Sequence, residues 1–408
     1  MTAFRWDESN ATAVAALVGA DAAADEQRLQ RAYAAAVWSC LVEPGDGVAG
    51  RLIAALGPDE ALREVIGGAR GGLAADAAEV DADDMHQALA RWRPRLEADA
   101  IALALGVARG RGIQLVVPDD PGWPATLNDL GEHAPVCLWV RGNAAALAHA
   151  DPAIAIVGAR AATGYGEHIA GEFAAELAGR GVTVVSGAAY GIDGAAHRGA
   201  LSAGGVTVAM LAGGVDRPYP AGHTQLLERI AVTGAVASEV PCGSAPTKWR
   251  FLQRNRLIAA LGRATVVVEA GWRSGSLNTA AHAADLGRPL GAVPGPVTSG
   301  SSAGCHRMLR EFDACCVTTA DEAAELVGLD RPPVDATLDL GPAWNGTDER
   351  SRVIDALSTR AARGIDDIAR RCGMAPGEVR VQLGMLALEG TAQSQSDRWR
   401  RVAVGAGR

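Results

Sequence analysis

A series of short apolar segments, most of them ending at glycine, serine or proline, dominates the middle of the chain. The segments are Ile154–Val157, Val182–Val185, Val206–Leu211, Ala235–Val240, Thr265–Val268, Leu290–Val293 and Cys315–Thr318. Hydrophobicity within them is continuous rather than alternating, which indicates strands buried on both faces. Helical periodicity between them, as in Ile169, Phe173 and Leu177, implies parallel pairing. We therefore predict a doubly wound, mostly parallel α/β sheet.

The region before this sheet has a different pattern. Apolar residues recur at three- and four-residue intervals, which is typical of helices, in Ala13–Val18, Leu29–Leu41, Leu52–Ile66 and Leu89–Val107. Two further strands are expected at Ile113–Val117 and Val136–Val140. We predict an N-terminal helical domain over residues 1–112 and a Rossmann-like α/β domain over residues 113–330.

The C-terminal region divides in two. Residues 331–347 contain three prolines and little periodicity, which indicates a linker. Residues 348–408 fit three helices and a hairpin, namely Val353–Leu357, Ile365–Cys372, Val379–Leu388 and Thr391–Val402. This order predicts a winged-helix domain with Pro376–Leu388 as its recognition helix.

The net charge of −9 is unusual for a protein that binds nucleic acid, but the charge is unevenly distributed. Residues 1–150 hold 12 arginines and 21 acidic residues, whereas residues 331–408 hold 12 arginines and 10 acidic residues. Because the excess of acid lies in the N-terminal part, basic clusters elsewhere remain able to attract phosphate. The only lysine is Lys248.

Neither a metal site nor a membrane location is expected. The seven cysteines are odd in number and contain no C-x-x-C pair, so we expect reduced, mostly buried thiols. Asp7 and Glu8 near the start argue against a secretory signal, and the apolar stretch Ile101–Ala108 is too short to span a bilayer. We therefore expect a cytoplasmic protein without a metal ion or cofactor.

Several polar segments directly follow predicted strands, and the carboxyl ends of parallel strands meet at one sheet edge. Gly158 and Arg160 follow the first strand, and Ser186 and Gly187 follow the second. A further segment, Arg273, Ser274, Gly275 and Ser276, follows the strand that ends near Glu269. Glycine turns, small hydroxyl residues at helix starts and arginine forks all suit a phosphate.

The remaining segment, residues 248–256, contains Lys248, Trp249, Arg250, Phe251, Arg254, Asn255 and Arg256. Cations that neutralise phosphates and aromatic rings that stack on bases are the combination used to bind single strands. Alternatively, Arg254 and Arg256 lie on a solvated helix face, and Phe251 and Trp249 belong to the core. Trp399, among three arginines, marks a DNA-contacting wing or a hairpin packed on its own helix.

Nucleotide-binding and catalytic motifs are missing or weak. The segment after the first predicted strand, Gly158–Gly166, does not match G-x-G-x-x-G, and the sequence has no G-x-x-x-x-G-K-[ST]. Asp193 and His197 are interpreted as a hydrogen-bonded pair at a helix start rather than an acid/base pair, and Glu269 as a group that binds loop N–H groups. Ser186 and Ser276 lack a base partner. We assign no catalytic residue and expect no enzymatic activity.

Residues 113–330 resemble the DNA-processing protein A family, known as DprA or Smf. The resemblance rests on I-A-I-V-G-A-R, V-V-S-G-A-A-Y-G-I-D-G-A-A-H, A-G-G-V-D-R-P-Y-P, S-E-V-P, R-N-R-L-I-A-A-L, V-V-V-E-A, R-S-G-S-L-N-T-A and A-V-P-G. It implies an extended Rossmann-like fold that binds and protects single-stranded DNA. It also implies loading of the RecA recombinase during natural transformation or recombination, and self-association as a homodimer.

Carried over residue by residue, the resemblance places Gly158, Arg160, Lys248 and Phe251 in a DNA pocket. Lys248 would contact phosphate, Phe251 would stack on or wedge beside a base, and Arg254 and Arg256 would complete a basic rim. The sequence departs from the family pattern at five positions, where Ala159, Tyr190, Leu252, Asn278 and His306 stand in place of the usual Ser, Arg, Pro, Ile and Asn.

Two other functions stay open at this point. One is a nucleotide-processing phosphoribohydrolase of the lysine-decarboxylase-like type, although its P-G-G-x-G-T-x-x-E signature has no counterpart with a suitable glutamate here. The other is a regulator that binds double-stranded DNA through the winged helix. That domain also serves protein interaction in other proteins.

Overall fold

The computed structural model describes residues 6–67, 78–329 and 349–402. The chain divides into two compact units, Met1–Arg331 and Pro332–Arg408, which are described separately. The predicted linker, residues 331–347, lies outside the described residues. Across the described part of the chain, no helix is long and apolar enough to cross a membrane.

The first unit begins with helices. They are α1 (Glu8–Ala15), α2 (Ala20–Ala23), α3 (Glu26–Leu41), α4 (Gly47–Leu56), α5 (Pro58–Gly67), α6 (Ala82–Trp92) and α7 (Ala98–Gly110). The two longest apolar patterns each form two helices, and Gly57 and Pro58 mark the break in the first of them. Gly57, with φ of +80°, ends α4, and Pro58 starts α5 because its fixed φ suits a first helical position. A short 3₁₀ turn, Arg93–Arg95, separates α6 from α7.

A nine-stranded sheet forms the body of this unit. Its strands are β1 (Gln114–Val116), β2 (Leu138–Gly142), β3 (Ala153–Val157), β4 (Thr183–Ser186), β5 (Thr207–Met210), β6 (Ala235–Ser238), β7 (Ala264–Val267), β8 (Leu290–Ala292) and β9 (Cys315–Cys316). Their order is β1-β2-β6-β5-β4-β3-β7-β8-β9. The strands from β3 to β9 are parallel, and β1 and β2 add an antiparallel edge. The predicted doubly wound, mostly parallel sheet is confirmed.

Helices cover both faces of the sheet. They are α8 (Ala145–Ala148), α9 (Gly164–Gly179), α10 (Ile192–Ser202), α11 (Thr224–Thr233), α12 (Lys248–Leu261), α13 (Ser276–Asp285), α14 (Ala303–Glu311) and α15 (Ala320–Leu326), with 3₁₀ turns at Ala125–His133 and Ala221–His223. Strand β3 illustrates the layering. Ile154 packs in the core that holds Phe173 of α9, whereas Ala155 packs in the core that holds Leu257 of α12. Alternate residues of one strand thus bury opposite faces.

The helical region shares its core with one edge of the sheet. Trp38 of α3 and Leu105 of α7 belong to the same buried cluster as Leu115 of β1, Trp139 of β2 and Val236 of β6. Burial of large apolar side chains is the main stabilising term in folding. The helices and the β1-β2-β6 edge are therefore held as one body.

The second unit has its own core. It contains α16 (Glu349–Ala356), α17 (Ile365–Cys372), α18 (Pro376–Leu388), β10 (Arg363–Gly364), β11 (Ala392–Gln395) and β12 (Arg398–Arg401). The strands pair in the order β10-β12-β11. Trp399 of the hairpin packs against the buried cluster of Val353, Ile368 and Leu383. The predicted winged helix is confirmed, and Trp399 belongs to a hairpin packed on its own helices.

Candidate nucleic-acid interface

The sheet has a topological switch point between β3 and β7. From β3 the chain proceeds through β4, β5 and β6 on one side, and α12 then returns it to β7 on the other side. Ligand sites in open α/β sheets lie at such points, outside the carboxyl ends of the strands. A cavity of about 590 Å³ opens there. Its lining consists of Val157, Gly158, Ala159, Arg160, Ala189, Asp193, Phe251, Leu252, Arg254, Asn255, Ile258, Gly271, Arg273, Ser274, Gly275, Ser276 and Thr279.

Gly158 lets three segments meet at the end of β3. A Cβ at this position would lie 2.5 Å from Ile192 Cγ1 and 2.9 Å from the carbonyl oxygen of Glu269, so no side chain fits without movement. The next residue, Ala159, donates its N–H to the Glu269 carbonyl at 2.7 Å. These contacts tie the loop after β3 to the loop after β7 and place Arg160 on the rim.

Arg160 and Phe251 form the outer wall of the cavity. Arg160 is exposed, and its guanidinium carbon lies 4.8 Å from the centre of the Phe251 ring, a distance at which a cation is attracted to the ring face. Tyr219 packs on the same ring with a centroid distance of 5.5 Å. Phe251 is therefore held by neighbours on the rim and is not a core residue.

Arg254 is the buried cation of the site. Its Nη1 donates to the carbonyl oxygens of Gly187, at 2.7 Å, and Met210, at 2.5 Å. Burial lowers the pKa of Arg254 to about 10, the charge of Asp193 raises it and that of Arg160 lowers it. The side chain therefore remains charged at neutral pH. Gly187 leaves room for the Arg254 guanidinium, because a Cβ at residue 187 would lie 2.3 Å from Nη1 of Arg254.

The loop after β7 supplies the opposite wall. Ser274 and Ser276 share a hydrogen bond of 2.8 Å between their hydroxyl oxygens at the start of α13. Asn255 of α12 donates to the Gly275 carbonyl at 3.3 Å and so braces this helix N-terminus against α12. A helix N-terminus carries a partial positive charge and free N–H groups that suit an anion. Arg273 is exposed beside it.

The electrostatic balance of the cavity is positive. Among the described residues that line it, Arg160, Arg254 and Arg273 are cations and Asp193 is the one acid. Asp193 is buried and accepts the N–H groups of Gly187 and Ala189. Burial raises its pKa, while the Arg254 charge and these N–H donors lower it. An anionic ligand is therefore attracted to the open side.

Nine of the thirteen residues singled out from the sequence line this cavity, and four do not. Lys248 is exposed at the first residue of α12, outside the lining. Ser186 is fully buried and donates to the Ile156 carbonyl at 2.7 Å, so its expected place beside a phosphate is wrong. Gly187 packs against the Arg254 guanidinium and accepts its hydrogen bond, and it does not line the cavity.

Arg256 is the clearest correction. It is 3% exposed and pairs with Glu239, which is 9% exposed, so it does not complete a basic rim. The reason is helical geometry, because residues two apart on a helix point about 200° away from each other. With Arg254 turned towards the cavity, Arg256 must point elsewhere. The alternative of a solvated face fails for both arginines, since both are buried.

The candidate acid/base residues all have structural partners. His197 bonds through Nδ1 to the Thr207 hydroxyl at 2.7 Å, and burial lowers its pKa to about 3. Because Asp193 binds backbone N–H groups instead, the expected Asp193–His197 hydrogen bond is wrong. Glu269 accepts the N–H of Thr163 at 2.9 Å and its hydroxyl at 2.6 Å, which confirms its structural role in the loop. Within the described residues, no cluster of metal-binding side chains is present.

Eight lining residues are not among the thirteen, namely Val157, Ala159, Ala189, Asp193, Leu252, Ile258, Gly271 and Thr279. Helical spacing signals two of them, since Ile258 lies one turn after Arg254 and Thr279 three residues after Ser276. A further contact has no sequence signal. Arg250 donates a two-pronged hydrogen bond to Glu43, at 3.0 and 2.8 Å, across 207 residues of chain.

Comparison with known proteins identifies the family. Residues 114–328 match the family model described as DNA recombination-mediator protein A, and residues 330–398 match the DprA winged helix domain. The chain belongs to the DNA recombination-mediator protein A family. A Mycobacterium tuberculosis protein that carries the DprA name is 49% identical over 329 residues, which cover 77% of this chain and 83% of that protein.

A second similar protein is the DNA processing protein DprA of Streptococcus pneumoniae, which is 38% identical over 206 residues, half of this chain and 72% of that protein. Its crystal structure superimposes with a TM-score of 0.58 at 29% identity, covering 72% of this chain and 97% of that one. The likeness supports the same Rossmann-like fold.

Four of the five departures from the DNA recombination-mediator protein A pattern make defined contacts. Ala159 still supplies its backbone N–H to Glu269. Tyr190 packs edge-on against His223 with a centroid distance of 4.9 Å. Asn278 accepts a hydrogen bond from Asn255 at 3.1 Å, and His306 bonds to the Gly295 carbonyl at 3.0 Å. These substitutions therefore support the loops of the cavity.

Proposed function

We propose that this protein binds single-stranded DNA in the cavity at the β3–β7 switch point. The observation that carries the proposal is the convergence of Arg160, Arg254 and Arg273 on one cavity whose lining holds a single acid. Phosphate contacts dominate the affinity of nucleic-acid binding, and three arginines beside a helix N-terminus supply them.

Phe251 favours a single strand over a duplex. Its ring lies inside a concave site, beside Arg160 and Tyr219. A base reaches such a ring only when it is free of its own stack, which is the case in a single strand. Stacking on an aromatic face tolerates every base, so we expect little sequence preference.

We propose further that the protein catalyses no reaction. Asp193, His197 and Glu269, the groups best placed for acid/base work, are engaged in hydrogen bonds of the fold. General acid or base catalysis needs a group free to reach the reacting proton. Release of a base from a nucleoside monophosphate would support the phosphoribohydrolase alternative instead.

For its cellular role, we propose that the protein protects single-stranded DNA and helps to load the RecA recombinase, as a cytoplasmic homodimer. Support comes from the family description, which names a recombination mediator, and from the sequence resemblance. DNA uptake in natural transformation and recombination within the cell are both compatible with this role.

The first experiment measures binding of fluorescent thymidine oligonucleotide and of duplex DNA by polarisation at two salt concentrations. Tight single-strand binding that weakens with salt is expected, with lower affinity for Arg160→Ala and Lys248→Ala. Arg263→Ala is the matched control, because Arg263 precedes β7 at the opposite edge of the sheet and pairs with Asp151. Absence of single-strand binding, or duplex preference in all variants, contradicts the proposal.

A further inference from the structure

The aromatic side chains of this chain are few, and their distribution is uneven. The described residues contain six exposed aromatic side chains, which are Tyr165, Tyr190, Tyr219, Trp249, Trp272 and Phe312. Three of the four tyrosines in the whole chain belong to this set. Large aromatic residues normally gain stability by burial, so exposed ones concentrated in one place indicate a surface that binds something.

Five of the six follow the carboxyl ends of five neighbouring strands. Along the sheet, β6 is followed by Trp249, β5 by Tyr219, β4 by Tyr190, β3 by Tyr165 and β7 by Trp272. We call these five residues the aromatic row. All five residues therefore lie on the edge of the sheet that carries the cavity.

Neighbouring groups contact four of the five side chains, among them Tyr165, whose hydroxyl donates to the Pro294 carbonyl at 2.8 Å, and about half of each ring remains exposed. Tyr190 packs on His223, Tyr219 packs on Phe251, and Arg307 lies 5.1 Å from the centre of the Trp272 ring. Their exposed fractions lie between 45% and 57%. Rings held in place lose little conformational entropy when a ligand stacks on them.

Exposed cations lie close in sequence to three of these rings. Lys248 precedes Trp249, Arg273 follows Trp272, and Arg217, whose side chain is 62% exposed and pairs with Asp216, lies two residues before Tyr219. Exposed rings with cations near them suit single-stranded nucleic acid, in which bases and phosphates alternate. An apolar protein partner would not require these charges.

We propose that the aromatic row is a stacking track that continues the single-stranded DNA site on both sides of the cavity. The bases of one strand stack on Trp249, Tyr190 and Tyr219 on one side and on Trp272 and Tyr165 on the other, because the Tyr165 hydroxyl bonds to Pro294 after β8. Arg217, Lys248 and Arg273 contact the intervening phosphates. This inference rests on the proposed single-strand binding and adds a base-stacking contribution outside the cavity.

The test compares two ligands of equal length, about 16 nucleotides, one of thymidine and one of abasic residues with the same phosphates. Trp249→Ala and Trp272→Ala are expected to weaken thymidine binding about tenfold each and abasic binding little. Trp249→Phe and Trp272→Phe should restore most of the loss. The salt dependence should not change, because no phosphate contact is removed.

Phe312→Ala is the matched control. Phe312 is 47% exposed at the end of α14, outside the aromatic row, and it shares Arg307 with Trp272. Its removal should leave both affinities unchanged. If the tryptophan variants bind like Phe312→Ala while Arg160→Ala is weakened, the track is wrong and the cavity proposal stands. If the tryptophan variants lose equal affinity for the thymidine and abasic strands, the rings do not stack on bases and the track is wrong. If the wild type binds neither strand, the proposed function itself is wrong.

Discussion

The arginines of α12 fall into two groups with opposite environments. Arg250 and Arg256 do not line the cavity and pair with Glu43 and Glu239. Arg254 lines the cavity, and its Nη1 bonds to backbone carbonyls. All three lie within seven residues of one helix, yet only Arg254 lines an open site. The difference shows that the environment of an arginine depends on the partners that distant parts of the fold place beside it, not on the basic character of its segment.

This comparison distinguishes side chains that stabilise the fold from side chains that bind a ligand. Removing one partner of a buried ion pair leaves the other charge buried without compensation, which costs folding free energy. Removing an exposed cation at the cavity, such as Arg273, costs little folding free energy and lowers affinity for an anionic ligand. Variants of the buried ion pair and of the exposed cations should therefore change different measurements.

The largest effect is expected at the Arg256–Glu239 pair. Both side chains are less than 10% exposed. Glu239→Ala should lower the free energy of unfolding by about 3–5 kcal/mol in a urea titration, because Arg256 then stays buried and unpaired. The double variant Arg256→Met with Glu239→Leu should recover most of the loss. Arg273→Ala, on the cavity side, should stay within about 0.5 kcal/mol of the wild type. A large loss for Arg273→Ala would remove the distinction between the two groups.

The next effect concerns pH and His197, which lies behind the cavity and is fully buried. Burial lowers its pKa from 6.5 to about 3, so the folded protein keeps it neutral. The unfolded chain takes up a proton below pH 6.5, and the free energy of unfolding should fall by up to about 1.4 kcal/mol per pH unit below that value. This stability is fully present above pH 6.5.

Urea titrations at about pH 7 and pH 5 measure this slope. His197→Asn should flatten it, whereas His168→Asn should leave it unchanged, because His168 is exposed on α9. An unchanged slope in His197→Asn would assign the acid sensitivity to other groups.

A smaller effect is expected at Glu43, which binds Arg250 in the first turn of α12 and also pairs with Arg95. Burial alone would raise the pKa of Glu43, but the hydrogen bonds and charges of Arg250 and Arg95 lower it. The carboxylate is therefore charged at neutral pH. It fixes the turn that carries Lys248 and Phe251.

The sign of the change in DNA affinity caused by Glu43→Gln distinguishes a positioning role of Glu43 from a purely electrostatic one. Loss of one acid near a basic site would strengthen DNA binding if only charge mattered. We expect about threefold weaker binding instead, because Arg250 loses a charged hydrogen-bond partner and the turn loosens. Glu132→Gln, which removes the exposed partner of Arg51, should change nothing in the same polarisation assay. Tighter binding by Glu43→Gln would contradict the positioning role.

Much of the fold follows from local sequence. Apolar runs such as Ile154–Val157 and Val182–Val185 predict β3 to β8, because a strand buried on both faces has a continuous pattern. The last run, Cys315–Thr318, overlaps β9, but both residues of that strand are exposed. Helix ends were harder to predict. Gly57 and Pro58 mark the break within Leu52–Ile66, whereas the pattern Leu89–Val107 continues across the turn at Pro94, since periodicity alone does not reveal a short turn.

The cavity was predictable where its residues lie directly after strands, as Gly158, Arg160 and Arg273 do. Sequence reasoning failed where burial depends on distant partners. Ser186 and Arg256 belong to suitable segments, but Ile156 and Glu239 bind them inside the fold. The two hydrogen bonds from Arg250 to Glu43 join positions 207 residues apart, and no local sequence pattern predicts such a pairing.

The smallest effect is expected from removing residues 345–408. The recognition helix, α18, presents Val381, Met385 and Leu388 to solvent, with Arg380 as the cation beside them. Readers of duplex DNA place several cations and amides in the major groove, whereas α18 carries one cation, Arg380, and one amide, Gln382, which donates to Glu349. Because the second unit has a core of its own, its loss should leave the first unit folded. Single-strand affinity of the truncated protein should stay within about twofold of the full chain, and duplex affinity should stay low in both. A tenfold loss of single-strand binding would move part of the site to the winged helix, and loss of duplex binding alone would favour the regulator alternative.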